Sequence, residues 1–217
     1  MICISDIEKN HRHEKKEPGS YEWWYFDGIS EDEQYKLVII FYDGCPFSTR
    51  YIRELDSGAH TSMKLPGRYP GISISVYYRD EPIFYSMSHY PPEACSFSDI
   101  GTDIRVGENS LKISGRERHN VSEYMGCDIR INERLPSGDE LKGIITFTGM
   151  KTHPELMQQG PPTEKEEPST KASHCWNLVM PRADLQCRMN LIQNGLIKKE
   201  LKFEGTGYHD HNVGHEP

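Results

Sequence analysis

No apolar stretch of this chain approaches the roughly 18 residues that a membrane-spanning helix needs. Nor does any window longer than about ten residues keep a 3.6-residue apolar period, so helix content is expected to be low. Basic residues are scarce: 25 Lys and Arg face 33 Asp and Glu, for a net charge of −8. With no Lys/Arg face to neutralise phosphates, nucleic acid is excluded as a partner. The single basic cluster, residues 11–16, is interrupted by Glu14 and reads as a solvated N-terminal tail. The six cysteines, at positions 3, 45, 95, 127, 175 and 187, form no C-x-x-C pair and lack structural-zinc spacing. Reduced thiols are the simpler reading. The N-terminus reaches Asp6 before any long apolar run, unlike a secretory signal. The expectation is a soluble, cytoplasmic protein.

What is present is a succession of short strand patterns. At 217 residues, 35% of them hydrophobic, the chain can bury a sizeable core. Residues 1–19 are polar and end in Pro18-Gly19, a tail leading to one domain over 20–217. Tyr21 to Gly28 opens that domain with four consecutive aromatics, Trp23 to Phe26, followed by Asp27-Gly28 as a turn signal. Further strands are expected at 35–42, 72–77, 82–88, 102–106, 110–115, 123–132, 141–149, 173–180 and 184–192. Asn194-Gly195 is the strongest hairpin signal of the chain. Residues 43–70 and 151–172 read as long loops, the second rich in proline and charge. Many short strands between turn signals predict an all-β barrel or sandwich.

Chemistry concentrates at the end of the chain. Tyr208-His209-Asp210-His211-Asn212 follows two glycines and contains no aliphatic residue. As a strand it places Tyr208, Asp210 and Asn212 on one side and His209 and His211 on the other. A second segment, His174-x-Trp176, puts an imidazole beside an indole on one face in the same way.

Tyr-Glu-Trp-Trp-Tyr-Phe-Asp-Gly near the start, His-x-Trp followed by Pro181, and Gly-x-Gly-Tyr-His-Asp-His-Asn-x-Gly at the end occur in that order. Together they resemble the carotenoid 1,2-hydratase (hydroxyneurosporene synthase) family and its AttH-like relatives, over residues 20–217. The resemblance implies a lipocalin-like antiparallel β-barrel, a calyx, commonly paired in the family with a second barrel that is expected to be missing from this chain. It also implies cofactor-free, acid-catalysed addition of water to a terminal isoprenoid double bond, a hydro-lyase type of chemistry. Carried onto this chain, Asp210 is the acid, with Tyr208, His174 and Trp176 around it as catalytic residues. Trp23, Trp24, Tyr25, His209, His211 and Asn212 are then expected at the substrate, and no metal is expected. Where the family ends its motif Asn-Trp-Gly, this chain has Asn212-Val213-Gly214.

Such a mechanism is chemically coherent. A carboxyl in an apolar site has its pKa raised by desolvation, and aromatic faces stabilise a carbocation. The implied partner is a hydrophobic isoprenoid-like or carotenoid-like small molecule, with peripheral membrane contact and homodimerisation left open. Two alternatives stand beside it. One is a non-catalytic lipocalin-like carrier in which the terminal motif is a structural hydrogen-bond network. The other is a metal enzyme using His209, His211 and His215.

Overall fold

The structure is a computed structural model that describes residues 2–58, 64–118, 121–150 and 174–215. Its strands are β1 (Ile2–Ile4), β2 (Ser20–Ser30), β3 (Tyr35–Asp43), β4 (Gly71–Tyr78), β5 (Glu81–His89) and β6 (Cys95–Phe97). They continue as β7 (Asp103–Val106), β8 (Asn109–Arg118), β9 (Val121–Arg134), β10 (Glu140–Met150), β11 (His174–Gln193) and β12 (Leu196–His215). A short helix, α1 (Thr49–Asp56), interrupts the connection over 43–70, where only loop is expected from sequence. Ser48 caps it by accepting from the Tyr51 N–H. The loop expected over 151–172 lies outside the described residues.

The strands form one sheet in the order β5-β4-β3-β2-β12-β11-β10-β9-β8-β7-β6, with β1 added in parallel to β11. Successive strands pair antiparallel from β2 to β5 and from β6 to β12, and β12 returns to pair with β2. The result is the expected lipocalin-like barrel, a curled antiparallel sheet with one seam between β5 and β6. Glu133 on β9, 1% exposed, spans toward that seam. It accepts hydrogen bonds from Ser88, from the Tyr90 hydroxyl at 2.9 Å and from Asn109 Nδ2 at 2.7 Å.

One face of the sheet carries a continuous apolar core, with buried polar groups at one end. Across neighbouring strands Trp24 pairs with Phe41, Phe41 with Ile72, Phe26 with Ile39 and Ile39 with Ile74. Leu185, Phe147 and Cys127 continue that face across β11, β10 and β9. All are essentially fully buried in one cluster that fills the interior. Burying each Leu-, Ile- or Phe-sized side chain contributes about 1.5–3 kcal/mol, which fixes which face of every strand turns inward.

Two sequence expectations change at this level. Asp27-Gly28 is no turn: β2 runs on to Ser30, and Gly28 is the inward residue where a Cβ would meet Leu185 Cδ2 at 2.4 Å. The strands expected at 173–180 and 184–192 are one strand, because bulges around Met180 absorb Pro181 without ending the ladder. Asn194-Gly195 forms the expected tight turn into β12, with φ of 53° and 77° at its two residues. Gly207 supplies room for Phe147, whose ring a Cβ there would meet at 2.4 Å.

Residues 3–19, expected as a solvated tail, pack into the mouth of the barrel. Asn10 is fully buried: its carbonyl accepts from Trp24 Nε1 at 3.1 Å and from Thr102 Oγ1 at 2.6 Å. Its amide donates to His209 Nε2 at 3.1 Å, while His209 Nδ1 donates to the Tyr25 carbonyl at 2.9 Å. Both nitrogens of His209 are thereby satisfied in the neutral ring, which stacks on Phe26 at 4.0 Å. The basic cluster is drawn in by charge: Lys15 binds both Glu22 and Asp43, and Arg12 Nε donates to Asp43 at 2.6 Å.

Burial lowers the pKa of His209 to about 3, from the ordinary 6.5. The unfolded chain therefore takes up a proton near pH 6.5 that the folded chain refuses until about pH 3. Stability from this ring is complete above that window and falls as pH drops through it, by roughly 2 kcal/mol at pH 5. Thermal unfolding at pH 7.5 and pH 5 should show a lower Tm at pH 5. A His209→Gln variant should lose less on acidification than the wild type.

Candidate functional site

The pleat of β12 sorts the terminal motif onto two faces, as its spacing predicts. Tyr208, Asp210 and Asn212 point outward, opposite Asp27, Tyr25 and Trp23 of β2. On the other flank Asn212 pairs with Trp176 and Gly214 with His174, so the His-x-Trp segment joins the same outer face. His209 and His211 point inward, opposite Phe26 and Trp24.

Asp210 is the hub of the outer group. Its Oδ2 accepts from Trp176 Nε1 and from the Tyr208 hydroxyl, each at 2.8 Å, and its Oδ1 accepts from Asn212 Nδ2 at 2.6 Å. Asn212 Oδ1 meets His174 Nε2 at 3.0 Å, and His174 Nδ1 meets the Tyr21 hydroxyl at 3.0 Å. The chain of contacts thus runs Asp210–Asn212–His174–Tyr21 across three strands. Around it stand ring faces: Trp23 lies 5.1 Å from Tyr21, 5.8 Å from His174 and 6.4 Å from Tyr42. Tyr25 meets Tyr208 edge-on at 6.2 Å.

Asp27 is the second carboxyl on this face. It sits across from Tyr208 and diagonal to Asp210, a relation that separates Cβ atoms by about 7–8 Å or somewhat less. The Tyr25 hydroxyl donates to it at 3.1 Å. Burial raises the pKa of Asp27, the Tyr25 hydrogen bond partly offsets that rise, and the nearby Asp210 charge adds to it. Burial together with these carboxylates also pushes the Tyr25 and Tyr208 phenols well above their ordinary range.

The structure therefore brings together Asp210, Tyr208, His174, Trp176, Trp23, Tyr25 and Asn212. It does not bring Trp24, His209 or His211 to them. Those three lie on the inner face, at most 1% exposed, because odd and even positions of a strand cannot share a face. His215 does not join His209 and His211; its Nε2 meets Glu17 at 3.2 Å. Phe47, 63% exposed, extends the aromatic surface beyond Trp23, 6.5 Å away.

No family model matches the chain. Over its whole length it is 25% identical to the hydroxyneurosporene dehydrogenase of Chlorobaculum tepidum. The chain is a distant relative of that protein. It spans about half of that relative, 55% of its length. The match agrees, at a distance, with the family resemblance carried by the motifs. Among solved structures, a Nitrosomonas europaea protein assigned as AttH aligns over 98% of the chain and 58% of its own, with 10% identity and a TM-score of 0.47. CghA in complex with Sch210972 aligns over 98% of this chain and 53% of its own, with 11% identity and a TM-score of 0.48.

Sequence reasoning missed Asp27 and Tyr21. The signal for Asp27 was present: Trp23, Tyr25 and Asp27 alternate, so a strand carrying the first two outward carries the third. Reading Asp27-Gly28 as a turn removed it from the strand.

Trp176→Phe keeps an aromatic face but withdraws one donor from Asp210, which is only 9% exposed. A hydrogen bond to a charged group contributes about 1.5–3 kcal/mol. Urea denaturation should show a loss of stability of that order with an unchanged m-value.

Proposed function

We propose that the outer face of β2, β12 and β11 binds an apolar, unsaturated isoprenoid-type molecule and adds water to one of its C=C bonds without a cofactor. The observation that supports this best is the pairing of two carboxyls in unlike environments on an aromatic surface. Asp27 is made a weaker acid by burial, and Asp210 accepts from three donors. Carboxyls held apart in this way divide acid and base roles between them.

In this reading Asp27, not Asp210, delivers the proton to the less substituted alkene carbon. The tertiary cation that forms lies against the ring faces of Trp23 and Trp176, which attract positive charge with no polar atom to trap it. Water attacks the cationic carbon, and Asp210 takes the proton that this water releases. One C–H and one C–O bond form, the π bond is lost, and the product is a tertiary alcohol. Proton return from Asp210 to Asp27 passes through solvent or by way of Tyr208, which donates to Asp210, and Tyr25, which donates to Asp27. His174 orients Asn212, and through it Asp210.

A carrier is the second reading, favoured by one observation: the donors on Asp210 come from its own strand and from β11, a clasp that ties β12 to its neighbour.

The test is turnover of an acyclic carotenoid such as neurosporene or lycopene in detergent, scored as a mass gain of one water. The wild type should hydrate. Asp27→Asn and Asp210→Asn should each lose at least about a hundredfold in rate while staying folded. Because Asp27 must be protonated to act, the rate should fall as pH rises through its elevated pKa. Binding without turnover by the wild type would support the carrier and overturn the hydratase reading.

A further inference from the structure

The inner face of β12 carries a second constellation, on the opposite side of the sheet from Asp210. Glu22 Oε1 lies 2.9 Å from His211 Nε2 and 2.9 Å from His13 Nδ1. The three ligand-type atoms offered by His13, Glu22 and His211 all fall within 4.8 Å of one another. Glu22 is fully buried and His211 is 1% exposed. The geometry poses a problem of hydrogens. His211 Nδ1 faces the Lys9 carbonyl at 3.2 Å, and its Nε2 faces the Glu22 carboxylate. Both neighbours are acceptors, and a neutral imidazole has one N–H. If Nδ1 donates to Lys9, then Nε2 and Oε1 present lone pairs to each other, and a cation between them would satisfy both, beside the His13 backbone N–H that Oε1 accepts at 3.0 Å. A second proton, pairing an imidazolium with the Glu22 carboxylate, is the rival occupant of that gap.

We propose that this cation is a divalent metal of the zinc class, held by His13 Nδ1, Glu22 Oε1 and His211 Nε2. Two imidazoles and one carboxylate are a donor set that zinc takes in tetrahedral sites, with bonds of about 2.0–2.2 Å. Such bonds set ligand atoms about 3.3–3.5 Å apart, so the two 2.9 Å contacts open by a few tenths of an ångström when the ion enters. The surroundings already do what metal sites require of them. With the His211 N–H on Nδ1, facing the Lys9 carbonyl at 3.2 Å, Nε2 is left free for a metal. Its ring is clamped between Trp24, stacked at 4.6 Å, and His13, stacked at 5.4 Å. The other oxygen of Glu22 is anchored by Lys15, which also binds Asp43 at 2.9 Å. A cavity of about 250 Å³, walled by Ile4, Cys175 and Val213, opens against both His13 and His211 and leaves room for a fourth ligand.

The site would clasp the N-terminal segment, which carries His13, to the barrel, which carries Glu22 and His211. Metal binding and docking of residues 3–19 are then one event.

The experiment is titration of the full chain, stripped with a chelator, with Zn2+ and in parallel with Co2+. One ion per chain should bind with a Kd of about 1 µM or tighter. Cobalt should give the visible absorption of a tetrahedral site, and zinc should raise the Tm. His13 is about one-third exposed, so His13→Ala tests the site without opening the core, whereas Glu22 and His211 variants risk unfolding. It should weaken binding by at least about tenfold, with unchanged far-UV circular dichroism. Binding weaker than about 100 µM, or equal binding by the wild type and His13→Ala, would overturn the proposal.

Discussion

A strand paired on both sides gives its side chains only two directions, and β12 lies between β2 and β11 along its whole chemical segment. That constraint decides everything else about the terminal motif. Five consecutive polar residues are divided into an outer set of Tyr208, Asp210 and Asn212 and an inner set of His209 and His211. The division holds because the same register carries Trp24 and Phe26 into the core, and a one-residue slip would expose both. Apolar burial on the opposite face of the sheet from Asp210 thus sets the position of its carboxylate.

The two faces solve opposite problems. On the outer face, polar groups sit among aromatic rings with partial access to solvent, and the carboxyls Asp27 and Asp210 differ in how they are satisfied. On the inner face, charge is taken fully out of water and has to be matched. Glu22 and Asp43 meet Lys15 and Arg12, and burial drives the pKa values of His209 and His211 down. The N-terminal segment brings both cations. A segment that is polar by composition becomes structural because Glu22 and Asp43, buried in the barrel, need partners.

Much of this is legible in the sequence. Alternation and turn residues gave the all-β class, most strands and the Asn194-Gly195 hairpin, and parity alone gave the face shared by Tyr208, Asp210 and Asn212. Three things were not legible. The role of residues 3–19 depends on Glu22 and Asp43 inside a barrel mouth that local pattern does not reveal. The continuity of β11 through Pro181 depends on bulges, which tertiary pairing stabilises against local propensity. The place of Asp27 was hidden by Gly28, whose small size answers to the approach of Leu185 across the core and not to a turn. Trp24 and Trp23, grouped together from the sequence, part company for a simpler reason: neighbouring positions on a strand face opposite ways.

The central claim is that an apolar ligand meets the outer face, beside Trp23 and Trp176, and not the packed interior beside Trp24. The chain has three tryptophans, so fluorine NMR of fluorotryptophan-labelled protein resolves the question directly, with each signal assigned by a Trp→Phe variant. On addition of an acyclic polyene, the Trp23 and Trp176 resonances should shift while that of Trp24 stays in place. A shift confined to Trp24 would put the ligand inside the barrel and contradict the account.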